Sequence, residues 1–378
     1  MIFYKYFFIG VFIIIVSCSP RGPELQNSQI QISSVPPSLD VLELPKFPNY
    51  PAPKIKLDEN DSGYIYYPIK SPYDFSRVLN GYDQLQTHTG KSELFLPHGA
   101  NVDNPVPAVI IMHGSGGIKN GRENGYAKLF SENGMAALII DYYEPRGVTK
   151  DTPYVMKTMI ATEVDIMSDA YSALKILSTH PAIDSLRIGI TGYSYGGMGT
   201  RYVLDERLKK IMAPNTPRFA LHMDIYGPCH QTLGHKITTG APYLAVHGDN
   251  DNSVDPELCQ EVYKDITKGG SSVESHVIPG AGHAWENSEP LKVFQGSYVK
   301  DCTFSFDKDG TFLVNGKSGQ FQSTSEMSRG QRAKVRAGLG KLAGSCLGEG
   351  YIVGNNPEAD NISKGIQIEF LKRIFKIK

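Results

Sequence analysis

The sequence predicts an α/β fold: a mostly parallel central sheet flanked by helices on both faces. Three observations predict it. Short runs rich in Val, Ile and Leu recur along the chain, most of them end in a polar, Gly-containing turn, and helical patterns lie between them. In open sheets of this kind the turns gather at the carboxyl edge of the strands, where ligands bind.

The elements follow in order. A first strand pair is expected at residues 64–67 and 92–96. Residues 106–112 form an apolar run that ends in His113-Gly114-Ser115-Gly116-Gly117. Residues 135–140 form the next, ending at Asp141, and residues 186–191 lead into Gly192-Tyr193-Ser194-Tyr195-Gly196-Gly197. Residues 219–226 end near Cys229, and residues 243–247 end in Gly248-Asp249-Asn250-Asp251. Residues 273–278 are followed by Gly280-Ala281-Gly282-His283. The clearest helix is expected over residues 159–179, where Ile160, Val164, Met167, Tyr171, Leu174 and Leu177 recur at steps of three and four. His180-Pro181 ends it, because the residue before proline avoids helical backbone. Residues 301–321 alternate around Asp309-Gly310 and Asn315-Gly316 and read as hairpins within an insertion around 300–345. A last helix is expected at 362–375.

The first residues divide the chain further. One charge, Lys5, precedes an apolar run over 7–16. A membrane-spanning helix needs about 20 residues, so the run fits the apolar core of a signal peptide instead. Ile15-Val16-Ser17-Cys18 resembles a bacterial lipobox, which implies a signal peptide at 1–17, lipidation of Cys18, and an exported lipoprotein anchored in a membrane of the cell envelope. Residues 18–60 read as a Pro-rich tether with Pro36, Pro37, Pro45, Pro48, Pro51 and Pro53, and residues 61–378 as the globular domain. An exported chain can keep disulfides. Cys229, Cys259, Cys302 and Cys346 allow three pairings. Cys229 with Cys259 and Cys302 with Cys346 is preferred, since the first two follow neighbouring strand ends; four free, buried cysteines are the alternative.

The charge balance, 38 Lys and Arg against 39 Asp and Glu, gives no support to nucleic-acid binding. The histidines are scattered and the cysteines lack zinc spacing, so no metal site is expected.

Gly192-Tyr193-Ser194-Tyr195-Gly196 fits G-x-S-x-G between a strand and a helix, the setting of a nucleophile elbow. A serine needs a base, and in such sheets the chain order is Ser, then Asp or Glu, then His. His283 follows the strand at 273–278 and is the expected base; His113 and His247 sit at strand ends before glycine and read as structural. Asp251 is the expected acid, because Asp251-Asn252-Ser253-Val254-Asp255-Pro256 resembles the D-x-x-V-x-P turn after the acid of many such hydrolases. Asp249 reads as a brace of that turn. The oxyanion hole is expected from the backbone N–H groups of Tyr195 and Ser115.

Together these pieces resemble the dienelactone hydrolase family, in a branch with a serine nucleophile. The matching pieces are His113-Gly114-Ser115-Gly116-Gly117, Asp141-Tyr142-Tyr143-Glu144-Pro145-Arg146-Gly147, the serine elbow, Asp251 and Gly280-Ala281-Gly282-His283. The resemblance implies an α/β-hydrolase domain that hydrolyses esters or lactones without a cofactor. The chain departs from the family pattern in having Ser194 where dienelactone hydrolase itself has Cys, no Glu in the first oxyanion turn, and Asn287 where that enzyme has a substrate-binding Arg. Arg146 is a loose counterpart of a second substrate-binding Arg, one residue out of step.

The expected activity is hydrolysis of a small-molecule carboxylic ester or lactone through an acyl-enzyme. The alternatives are a peptidase or acyltransferase with the same triad, or a non-catalytic surface-binding lipoprotein.

Overall fold

A computed structural model describes residues 41–378 apart from 319–321, 325 and 378. The signal peptide, Cys18 and the first half of the tether lie outside the described residues.

The strands of the main sheet and a short accessory strand run β1 (Gly63–Lys70), β2 (Thr87–Phe95), β3 (Val106–Met112), β4 (Ala136–Asp141), β5 (Ile183–Tyr193), β6 (His222–Ile225), β7 (Gln231–Leu233), β8 (Tyr243–Gly248) and β9 (Val273–Ile278). The main sheet has eight strands in the order β1-β2-β4-β3-β5-β6-β8-β9. β2 is antiparallel to both neighbours, and from β4 to β9 every pairing is parallel. Parallel strands buried on both faces need apolar residues at nearly every position. β3 is such a strand: Ala108, Ile110 and Met112 face one core, and Val109 and Ile111 face the other.

Helices cover both faces. They run α1 (Phe75–Leu79), α2 (Gly125–Glu132), α3 (Tyr154–Ile160), α4 (Glu163–Leu177), α5 (Tyr195–Tyr202), α6 (Glu206–Met212), α7 (Pro256–Lys268), α8 (Arg329–Leu342) and α9 (Pro357–Phe375). α4 packs Val164, Met167, Tyr171 and Leu174 into the first core. α2, α7 and α9 fill the second with Tyr126 and Phe130, Val262 and Tyr263, and Phe370 and Leu371.

Some boundaries differ from the sequence expectation, each for a local reason. The helix expected over 159–179 is two helices, because Thr162 and Asp165 form a capping box that starts α4 afresh. The last helix starts at Pro357 rather than 362, with the Asn356 side chain accepting the Ala359 N–H. The Pro-rich stretch has neither helix nor strand from 41 to 62, yet it lies on the domain instead of standing away from it. Phe47 stacks on His88 at 3.6 Å, and the Tyr50 hydroxyl bonds Glu144 at 2.8 Å.

Beyond β9 the chain builds a ribbon and a cover. β10 (Lys292–Val299) pairs with β14 (Leu347–Val353). Between them lie β11 (Phe304–Phe306), β12 (Phe312–Val314), β13 (Lys317–Ser318) and α8. β11 also pairs with β7, which lays the insertion against the main domain. Disulfides join Cys229 to Cys259 and Cys302 to Cys346, and the second closes the neck of the insertion.

Candidate active site

The site is built on the carboxyl ends of β5, β8 and β9. Ser194 stands between β5 and α5 with φ 56° and ψ −116°. A non-glycine residue holds such a conformation only where its surroundings enforce it. Here the Ser194 N–H is fixed on the Ile225 carbonyl at 2.9 Å. A Cβ on Gly192 would overlap the Gly196 carbonyl, and one on Gly196 would overlap the carbonyl of Met112. Both positions therefore need glycine for strand and helix to close around the turn.

Asp251 follows β8 and His283 follows β9, and both are buried. His283 Nδ1 lies 2.6 Å from Asp251 Oδ2, and His283 Nε2 lies 2.8 Å from Ser194 Oγ. With its proton on Nδ1, facing the carboxylate, the imidazole leaves Nε2 to accept the serine hydroxyl. Asp251 Oδ1 accepts both the hydroxyl and the backbone N–H of Ser253, at 2.5 and 3.0 Å. Both of its oxygens are thus engaged, which sets the plane of the carboxylate.

Three further contacts hold the imidazole. The His283 N–H bonds the Ile352 carbonyl of β14 at 2.7 Å. The Tyr226 and Tyr351 rings stand edge-on to it, with centroids at 4.7 and 5.4 Å. Tyr226 in turn donates its hydroxyl to Glu286, whose carboxyl is pushed upward by burial.

The turn after β3 faces the elbow. Gly117 N–H bonds Gly114 O at 3.0 Å, the Tyr143 hydroxyl donates to Ser115 O at 2.9 Å, and Arg122 donates to Gly117 O at 3.2 Å. Arg122 is itself paired with Glu123 at 2.7 Å in a buried setting. Ser115 and Tyr195 border the same cavity as Ser194. Among the described residues neither backbone N–H has another acceptor. Backbone donors left without a protein acceptor beside a serine are what a developing oxyanion needs.

The remaining candidates fall outside this group. Arg146 is not a substrate contact: its side chain is fully buried. It binds Asp169 through both terminal nitrogens at 2.6 and 3.0 Å, the Tyr142 carbonyl at 3.0 Å and Ser71 at 3.1 Å. A guanidinium taken from water must be paired, and this one is fully engaged away from the cavity. Asp249 braces the turn by accepting the Gly280 N–H at 2.6 Å, and Asp255 caps α7. His113 stacks on Tyr142 at 3.6 Å, and burial pulls its pKa down to about 3.

Several residues of the site escaped the sequence reading. Ser253 lay inside the turn that singled out Asp251. Arg332 and Arg336 reach the cavity from α8, and their only sequence signal is their helical spacing with Arg329. Tyr154 bonds Ser115 Oγ at 2.5 Å from a helix that carries no motif.

Residues 94–304 match the sequence profile of the dienelactone hydrolase family. A Bradyrhizobium protein named a probable 2-oxo-3-(5-oxofuran-2-ylidene)propanoate lactonase is 28% identical over 210 residues, 52% of this chain and 80% of its own. An Escherichia coli K12 protein named for carboxymethylenebutenolidase activity is 21% identical over 231 residues, 57% of this chain and 80% of its own. Among solved structures, propionate-bound esterase 2 of Thermogutta terrifontis is 17% identical with a TM-score of 0.41, covering 52% of this chain and 80% of its own.

Proposed function

Since the chain belongs to the dienelactone hydrolase family, we propose that it is a serine hydrolase of carboxylic esters or lactones, with Ser194 as nucleophile, His283 as base and Asp251 as the orienting acid. The observation that carries the reading is the continuous line of bonds from Asp251 Oδ2 through His283 to Ser194 Oγ, at 2.6 and 2.8 Å.

Ser194 Oγ attacks the ester carbonyl carbon while His283 Nε2 takes the hydroxyl proton. The carbonyl oxygen becomes an oxyanion facing the N–H groups of Ser115 and Tyr195. His283 then gives the proton to the departing alcohol oxygen as the C–O bond breaks, leaving an acyl-serine. Water, deprotonated by the same nitrogen, repeats the sequence and releases the acid. Asp251 stays ionised throughout and stabilises the imidazolium.

Export and anchoring through Cys18 belong to the same proposal. The two disulfides support them, since such bonds persist in oxidising compartments. Cys18→Ser is expected to abolish incorporation of radiolabelled palmitate and release the protein from membranes; retention of label would end that part.

The catalytic reading is tested with a fluorophosphonate probe and short p-nitrophenyl esters, on the parent and on Ser194→Ala. Labelling and turnover in the parent, both lost in the variant, are expected. A folded parent that does neither would overturn the reading.

A further inference from the structure

The cavity above Ser194 has a volume of about 590 Å³. That is the range of pockets enclosing drug-sized molecules, well beyond the needs of an acetyl group. The main domain gives the floor, with Tyr195 and Met198 beside Ser194. A further part of the lining comes from the insertion between Cys302 and Cys346: Phe304, Phe306, Phe312 and Val335. The three phenylalanines pack on one another with centroids 5.6 and 5.3 Å apart, and Phe306 stacks on the core ring of Phe75 at 4.9 Å. They make this part of the lining apolar and ring-rich.

The charges of the cavity cancel in pairs. Arg336 grips Glu163 with two bonds of 3.0 and 2.7 Å. Arg332 holds Asp74 at 2.5 Å and Ser76 at 3.1 Å. Both arginines belong to α8, and both carboxylates to the main domain. The remaining charged residue on the lining, Asp309, is negative. His230, also on the lining, is held neutral by burial, with a pKa near 4. A carboxylate entering here would lose its water without meeting an uncommitted cation on the described lining.

We propose that this site selects neutral esters bearing an apolar group of aromatic-ring size or larger, rejects esters that carry a carboxylate, and that the 302–346 insertion sets both preferences. The proposal rests on the ester-hydrolase reading above and adds its substrate class. Phe304, Phe306, Phe312 and Val335 supply the volume and apolar surface. The Glu163–Arg336 and Asp74–Arg332 pairs remove the cations that an acid would need.

The test compares kcat/KM on the full chain in two series. One varies the acyl group on p-nitrophenol, from acetyl to 3-phenylpropanoyl and 3-(4-carboxyphenyl)propanoyl. The other varies the alcohol of an acetate, from methyl to naphthylmethyl and carboxynaphthylmethyl. In at least one series the bulky neutral ester is expected to exceed the small one by about tenfold or more, and its carboxylated counterpart to fall about tenfold below it, each step being about 1.4 kcal/mol. Val335→Trp, which fills the cavity, is expected to lower the bulky-to-small ratio about tenfold. Glu163→Gln, which frees Arg336, is expected to raise the carboxylated-to-neutral ratio by a similar factor. Preference for the small ester in both series, or for the carboxylated one, with Ser194 still labelled by fluorophosphonate, would overturn the substrate class and leave the hydrolase standing. A folded protein whose Ser194 does not label would overturn the hydrolase and this inference with it.

Discussion

The backbone N–H of His283 bonds the carbonyl of Ile352 at 2.7 Å, so the imidazole is positioned by a strand from the far side of the insertion. A Cβ on Gly282 would lie 2.7 Å from Ile352 Cγ2 and 2.8 Å from its carbonyl oxygen. Gly282→Ala must therefore push the histidine loop and β14 apart. A displacement of about 1 Å can cost about a hundredfold in rate, so kcat is expected to fall by about tenfold to a hundredfold. Kinetics on a p-nitrophenyl ester, beside a thermal melt showing a folded variant, measures this. Unchanged kcat would mean that β14 does not position the base.

Asp251 divides its oxygens between His283 and Ser253, and the two contacts should weigh differently. Asp251→Asn is expected to lower kcat about ten-thousandfold, because an amide can hold the imidazole in the wrong tautomer. Ser253→Ala removes one hydroxyl and leaves the Ser253 N–H on the carboxylate. A loss of about tenfold is expected, the worth of one hydrogen bond to a charged group. Equal losses in the two variants would contradict the assignment of Asp251 as the orienting acid.

Arg146 should behave as a structural residue. Arg146→Lys cannot reproduce two bonds to Asp169 together with those to Tyr142 and Ser71. Breaking such a buried pair costs about 3–5 kcal/mol. A fall in urea midpoint is expected, with KM of the surviving folded fraction unchanged. A raised KM at full stability would return Arg146 to the substrate.

Two histidines set an acid limit on stability. Burial lowers the pKa of His113 to about 3 and of His222 to about 4. Both stay neutral in the folded chain, while an unfolded histidine takes up a proton below about pH 6.5. Unfolding then binds protons, so stability is full above about pH 6.5 and is lost as the pH falls from there towards the folded values. Each histidine contributes about 1.4 kcal/mol per pH unit in that window. Urea midpoints at about pH 7.5 and about pH 5 provide the check, and equal midpoints would refute the assignment.

The sheet and the line from Asp251 to Ser194 were legible because each strand ends in a short motif that its chemistry requires. Gly192 and Gly196 mark the elbow, and Asp251 and His283 appear in the order that this topology imposes. Capping chemistry was readable but outweighed by periodicity at Thr162 and Asp165, where one long apolar stripe hid a fresh helix start. The cover over the cavity was less accessible. Arg332 and Arg336 meet Asp74 and Glu163 across more than 170 residues of chain, and no local pattern announces a partner that distant. Arg146 misled for the opposite reason: a motif-like position near the site, turned inward to Asp169.

The Cys302–Cys346 bond also governs how the chain responds to a protease. It closes a covalent ring over the span that carries the hairpins and α8, with a sequence separation of 44. Lys308 and Lys317 are exposed on that span. A trypsin cut after either one opens the ring without releasing a fragment, because both ends stay joined through sulfur. The nicked protein should migrate as one band until reductant is added, and as two afterwards.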